Sequence, residues 1–173
     1  MINVNYTISQ ILALLSFIIS LIAFHRDKKE KILSNMILSN ILNLIHYLLL
    51  GAFSGVLTKI IAILRDYIII NKKNKKILNS KYTLIILIVL YIFAAIFSYN
   101  NIYSLFPIIA ALIYIVSIWN GNALRTKKTA FFCEFLWLGY NIFVFSIVGI
   151  FSKIIAIIST YIAIKNYSKS LKE

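Results

Sequence analysis

Residues 55–70, GVLTKIIAILRDYIII, return 94 positions later as residues 149–164, GIFSKIIAIISTYIAI. Nine of the 16 positions are identical in one ungapped register, including Gly55 with Gly149, Lys59 with Lys153 and Tyr67 with Tyr161. An isoleucine-rich chain matches itself at isoleucine by coincidence, but coincidence explains glycine, lysine and tyrosine together poorly. The chain reads as an internal duplication. Each copy is mostly apolar and only a little shorter than the roughly 20 residues a helix needs to cross the hydrocarbon of a bilayer.

Apolar sequence extends outward from both copies. The chain has 173 residues, 61% of them hydrophobic, and a mean hydropathy of +0.90, which leaves too little polar surface for a water-soluble globule. Apolar runs cover residues 8–24, 32–70, 82–98, 102–119 and 129–164. Built as one helix, residues 32–70 would reach about 58 Å, roughly twice the hydrocarbon thickness, so this run must fold back once. Gly51, Ser54 and Gly55 mark the turn, and the run 129–164 is expected to fold back near Gly149. The expected fold class is therefore all-α: a polytopic membrane protein of seven transmembrane helices.

Charge supports the same count. Fifteen of the 18 basic residues fall in four places: residues 26–31, 72–81, 125–128 and the tail with Lys165, Lys169 and Lys172. The N-terminus and the second, fourth and sixth connections have none. Seven crossings put every basic segment on one side, which the positive-inside rule makes cytoplasmic, with the N-terminus outside. One crossing more or fewer would destroy the alternation. The first run has no positive residue before it and no small-residue cleavage site after it, so it is expected to remain as a helix.

The 94-residue offset lays the first three helices over the last three. The two halves keep the same orientation only if an odd number of crossings separates them, and one linker helix provides it. The expected organisation is a first three-helix half over residues 1–71, a basic loop with linker helix four over 72–100, and a second half with the tail over 101–173.

Five charges remain inside the apolar runs: Lys59, Arg65, Asp66, Glu134 and Lys153. Lys59 and Lys153 lie about one turn from the outer ends of helices three and seven, where long side chains reach headgroups by snorkelling; an entrance role is the alternative. Glu134 is too short to snorkel and, on these boundaries, has a depth similar to Arg65. A bundle-facing Glu134–Arg65 pair is expected, with Asp66 in the same gate or ion-pair group. Asn40, Asn43 and Tyr47 share a face of helix two, and the duplication matches them to Glu134, Trp137 and Asn141. Two such stripes can line a substrate cavity between the halves or act as interhelical glue. His46 beside them can bind a ligand, relay a proton or simply pack.

The segments AFHRDKKEK (residues 23–31), HYLLLGAFSG (46–55), AILRDYI (62–68), LFPIIAALIYIVSIW (105–119) and WLGYN (137–141) together resemble the YgjV-type bacterial inner-membrane protein family, over nearly the whole chain. The resemblance implies a bacterial inner-membrane location and matches His46 and Asn141 to family positions. Tyr140 stands where the family has a second histidine, so a histidine-pair mechanism does not carry over. The architecture is similar to the SWEET and PnuC-like group of small-solute transporters, three helices, one linker and three more in parallel, and this similarity implies transport.

No glycine loop for phosphate, catalytic triad or paired carboxylates is evident, so neither an enzyme nor a cofactor is expected. Cys133 stands alone, which excludes an internal disulfide and a cysteine metal site. The net charge of +13 lies in short inter-helix gaps rather than on a polar face, so nucleic acid is not an expected partner. The expected partners are membrane lipids, with the lysine-rich loops near anionic headgroups, a small polar solute, and a second copy of the chain. The functional expectation is a small-solute carrier or facilitator, the alternative a non-transport membrane partner or sensor.

Overall fold

The computed structural model describes residues 4–73 and 75–170; Lys172 of the basic tail lies outside them. Among the described residues there are seven α-helices: α1 Val4–Phe24, α2 Lys29–Leu49, α3 Phe53–Asn71, α4 Lys81–Ser98, α5 Phe106–Trp119, α6 Ala123–Phe143 and α7 Ile147–Ser170. Short 3-10 turns precede α4 and α5. Five helical stretches are long and apolar enough to cross a membrane: α1, α2, α4, residues 102–119 and α7. Helices α3 and α6 have the length, but Lys59, Arg65 and Asp66 in one and Arg125, Lys127, Lys128 and Glu134 in the other set them apart.

The helices form one bundle. Helix α2 packs between α1 and α3, α6 packs between α5 and α7, α1 meets α7, α3 meets α5, and α4 lies against α3 and α5. Small residues let α1 approach closely: Ser9, Ala13, Ser16, Ser20 and Ala23 are buried on one stripe, and the Ser16 and Ser39 hydroxyls bridge α1 to α2 at 2.8 Å. Large apolar side chains such as Ile18, Ile86, Phe93, Phe97 and Ile158 point outward. An outward face of this kind suits lipid and would be a liability in water.

Side-chain contacts fix the ends of the bundle. At one end Lys29 at the start of α2 donates to the Gly121 carbonyl at 2.8 Å, and Lys73 pairs with Glu30 at 2.9 Å. The connections following α1, α3 and α5 therefore meet at a basic end. At the other end the Tyr6 hydroxyl donates to the Phe145 carbonyl at 3.1 Å, and Tyr140 reaches the α2–α3 turn. This end carries no charged connection among the described residues.

Two helix boundaries depart from the sequence expectation. Helix α6 starts at Ala123, six residues before the apolar run, because its first two turns are basic and capped by the Asn122 side chain at the Arg125 amide. Glu134 consequently lies near the middle of α6 rather than one turn from its end. The α6–α7 turn is at residues 144–146, not at Gly149. It copies the α2–α3 turn: Leu50 and Ala52 donate to the carbonyls of His46 and Tyr47, and Val144 and Ser146 to those of Tyr140 and Asn141. Gly51 at φ 67° and Phe145 at φ 52° occupy the left-handed position in each.

The duplicated glycines serve packing instead. A Cβ on Gly55 would lie 2.8 Å from Tyr47 Cγ, and one on Gly149 would lie 2.2 Å from Asn141 Oδ1. Tyr47 and Asn141 are themselves matched positions, so each half uses its glycine to seat the same site of the preceding helix. Pro107 lies in the first turn of α5, where its missing donor costs no helical bond. Gly149→Ala should destabilise the protein by about 1–3 kcal/mol through overpacking. Gly51→Ala, with open space at its Cβ, should cost about 1 kcal/mol through left-handed strain alone. Thermal midpoints in detergent should fall in that order.

Candidate functional site

The 3,4 spacing of Asn40, Asn43 and Tyr47 puts them on the inner face of α2, and Glu134, Trp137 and Asn141 take the same place on α6. The two stripes face each other. Tyr47 stacks on Trp137 at 5.7 Å between ring centroids, and its hydroxyl donates to Asn141 Oδ1 at 3.2 Å. Between them is a central cavity of about 80 Å³, lined by Asn40, Asn43, Lys59, Arg65, Tyr114, Glu134, Trp137 and Lys153 and by small residues of α3, α5 and α6. That is space for several water molecules. A smaller crevice continues from it toward Ser16, His46, Tyr47 and Asn141.

The charges inside are arranged in three ways. The Arg65 guanidinium binds Asp66 through Nη2 and Nε, both at 2.8 Å from Oδ1, reaches the Tyr91 hydroxyl of α4 at 3.3 Å, and lies 4.7 Å from the Tyr114 ring centroid. Asn40 donates to the other Asp66 oxygen at 3.3 Å. Lys153 pairs with Glu134 at 2.8 Å. Lys59 rests over the Trp137 ring, 3.8 Å from its centroid, a contact worth about 2 kcal/mol where water is excluded.

Several expectations are corrected here. Arg65 and Glu134 do not pair: Arg65 takes its sequence neighbour Asp66, and Glu134, deeper than expected because α6 starts earlier, takes Lys153. Lys59 and Lys153 do not snorkel outward. Both turn into the cavity, Lys59 with only 8% of its surface exposed, because carboxylate and indole partners inside hold them better than a lipid face would.

His46 is hydrogen-bonded at both ring nitrogens. One ring nitrogen is 2.8 Å from the Ser9 carbonyl and the other 3.1 Å from Ser146 Oγ, joining α1, α2 and the α6–α7 turn. Asn43 likewise donates to Ser16 Oγ at 2.5 Å, while still lining the cavity.

Sequence reading did not single out Tyr114, whose buried hydroxyl has no hydrogen-bond partner among the described residues, and it noted Tyr140 only as a departure from the family's histidine. The Tyr140 hydroxyl accepts from Ser54 at 2.8 Å and from the Gly55 amide at 3.0 Å. With Tyr47 and Trp137 it forms an aromatic layer between the cavity and an open recess of about 430 Å³ at the uncharged end, lined by Ala52, Asn101 and Phe145 among others. A second recess of about 430 Å³ opens at the basic end, lined by Lys29, Lys72, Lys73 and Trp119. Burial and the adjacent Lys73 hold the Lys72 ammonium below the ordinary lysine range. Buried Leu33, Ile115 and Ile118 belong to the core at this end. Among the described residues, no group of three His, Cys, Asp or Glu side chains could hold a metal.

A family model described as Imp-YgjV, bacterial inner membrane protein, matches residues 7–170. The chain belongs to that family, and is a polytopic protein of the bacterial inner membrane. No curated protein and no solved structure matches it.

Asp66 is completely buried against Arg65. Asp66→Asn, which strands the guanidinium, should destabilise the fold by about 3–5 kcal/mol. The double variant Arg65→Met with Asp66→Leu should recover most of that loss. Thermal unfolding in detergent compares the three proteins.

Proposed function

We propose that this inner-membrane protein of the YgjV family is a small-solute carrier or facilitator, with its solute site in the central cavity between α2 and α6. The observation that carries the reading is a polar, charge-lined space at the centre of a bundle with an apolar exterior, with one recess toward each end. A protein serving only as a membrane partner or sensor needs no such space, and a filled centre would be the more stable choice.

In this reading all seven helices cross the membrane, and α1–α3 and α5–α7 are parallel halves joined by α4, similar to the arrangement in SWEET-type transporters. Three observations support it. Four backbone hydrogen bonds of the first hairpin turn recur at the 94-residue offset in the second. The contacts of α1 with α7 and of α3 with α5 are the pair that a two-fold axis along the bundle would exchange. The basic connections gather at one end, which the positive-inside rule makes cytoplasmic, leaving the N-terminus outside.

The substrate-contacting residues are Asn40, Asn43, Tyr47, Glu134, Trp137 and Asn141, with His46 bracing the wall behind them. Arg65 and Asp66, tied to α4 through Tyr91, anchor α3 against the linker helix. The rings of Tyr47, Trp137 and Tyr140 close the outer side.

Purified protein in liposomes should move a small solute in a metabolite screen, and empty liposomes should not. In a Cys133→Ala background, Asn43→Cys and Trp137→Cys should react with a water-borne thiol reagent. The transported solute should slow the reaction. Two unreactive cysteines in folded protein, with no solute moved, would rule the carrier reading out.

A further inference from the structure

The duplication matches Asn40 to Glu134, Lys59 to Lys153, and Asp66 to Thr160. In the second half Lys153 has its carboxylate, Glu134, 2.8 Å away. In the first half the matched position is a neutral asparagine whose amide goes to Asp66, and Asp66 is already held by Arg65. Lys59 therefore has no carboxylate within ion-pair distance among the described residues, and its ammonium rests on the Trp137 ring. Lys59, Arg65 and Lys153 oppose Glu134 and Asp66, so the interior carries one positive charge in excess.

An uncompensated charge in a bilayer is costly, and such residues tend to face a solute path or find a counter-ion. A second observation points to what the counter-ion would meet. Tyr114, which lines the same cavity, has a buried hydroxyl without a hydrogen-bond partner among the described residues. The methyl groups of Ala62, Ala110, Ala111 and Ala130 also line the cavity. An ammonium and a hydroxyl next to a small apolar wall suit a carboxylate carrying a short hydrocarbon tail.

We propose that the central cavity binds a short-chain monocarboxylate, its carboxylate between Lys59 and Tyr114 and its alkyl group against the alanine wall. The proposal rests on the carrier reading for its biological meaning, but binding is measurable without transport. A charge-assisted contact at Lys59 supplies most of the selectivity over a neutral solute. Asn40 sets the site's charge by not being the acid found in the other half.

Isothermal titration of the full chain in detergent, with propionate and its neutral isostere propionamide, tests this. Propionate should bind and propionamide should not. Lys59→Gln, and Asn40→Glu, which gives Lys59 the carboxylate its twin has, should each weaken propionate by about tenfold or more. Lys59→Arg should retain binding. Glu134→Gln, which raises the excess charge, should tighten it.

Equal binding of propionamide, or unchanged propionate affinity in both Lys59→Gln and Asn40→Glu when each remains helical and monodisperse, would overturn the proposal. Nitrate or chloride competing as well as propionate would overturn the carboxylate assignment. Liposome uptake separates the two readings. A neutral solute carried by protein that does not bind propionate sinks this inference alone. Propionate bound by protein that moves no solute sinks the carrier reading alone.

Discussion

Five charged side chains sit inside a bundle whose outer surface is isoleucine, leucine and phenylalanine, and the rest of the structure is organised around keeping them from lipid. Each is given a partner on another helix or beside it: Asp66 for Arg65, Glu134 for Lys153, the Trp137 ring for Lys59. Helices α3 and α6, which carry four of these five side chains, are too polar to be read as spans by hydropathy alone. Their charges turn inward, and the apolar faces of α1, α4 and α7 cover what remains. Polar groups in this position are retained at the expense of stability, since hydrophobic replacements of similar volume often pack as well or better. Their persistence in the interior is an argument for a role beyond cohesion.

The duplication explains where the cavity is, and the departures from it explain the cavity's chemistry. Gly55 and Gly149 each clear space for the matched residue of the preceding helix, Tyr47 or Asn141. Those two residues then bond to each other across the seam. A symmetric pair at this point would have left either two rings in collision or two amides with a gap. Tyrosine on one side and asparagine on the other fill the space and satisfy one hydrogen bond. The same breaking of symmetry at Asn40 and Glu134, and at Asp66 and Thr160, leaves one half with a surplus cation and the other neutral.

Much of this was legible in the sequence. The apolar runs locate seven helices, the basic gaps assign the ends, and the 94-residue offset pairs the two stripes. Hydropathy loses the start of α6 because its first two turns carry Arg125, Lys127 and Lys128 beyond the apolar run. That single error placed Glu134 too shallow and suggested Arg65 as its partner. The glycine expected to turn the chain before α7 is a packing glycine, and the turn is made by Phe145, a residue type that rarely takes a left-handed conformation. The inward direction of Lys59 and Lys153 was signalled by their recurrence at matched positions, but depth alone favoured headgroups. Tyr114 gave no signal, because one more tyrosine in an apolar run reads as packing.

Closure differs at the two ends. At the uncharged end the contacts join α2 and α3 to α6: the Tyr140 hydroxyl at Ser54 and Gly55, the Tyr47–Asn141 bond, and the stacked rings. At the basic end they join α2 and α3 to the C-terminal end of α5, where Lys29 and Lys72 donate to the carbonyls that no helical amide reaches. Both sets join α2 and α3 to helices of the second copy of the repeat, one set to α6 and the other to α5. The set at the uncharged end is aromatic and directional, and opening it would strand hydroxyl and amide groups. The set at the basic end consists of lysines on exposed carbonyls beside an open recess, where water replaces the lost bonds at little cost. The contacts at the basic end are therefore the easier ones to exchange for water.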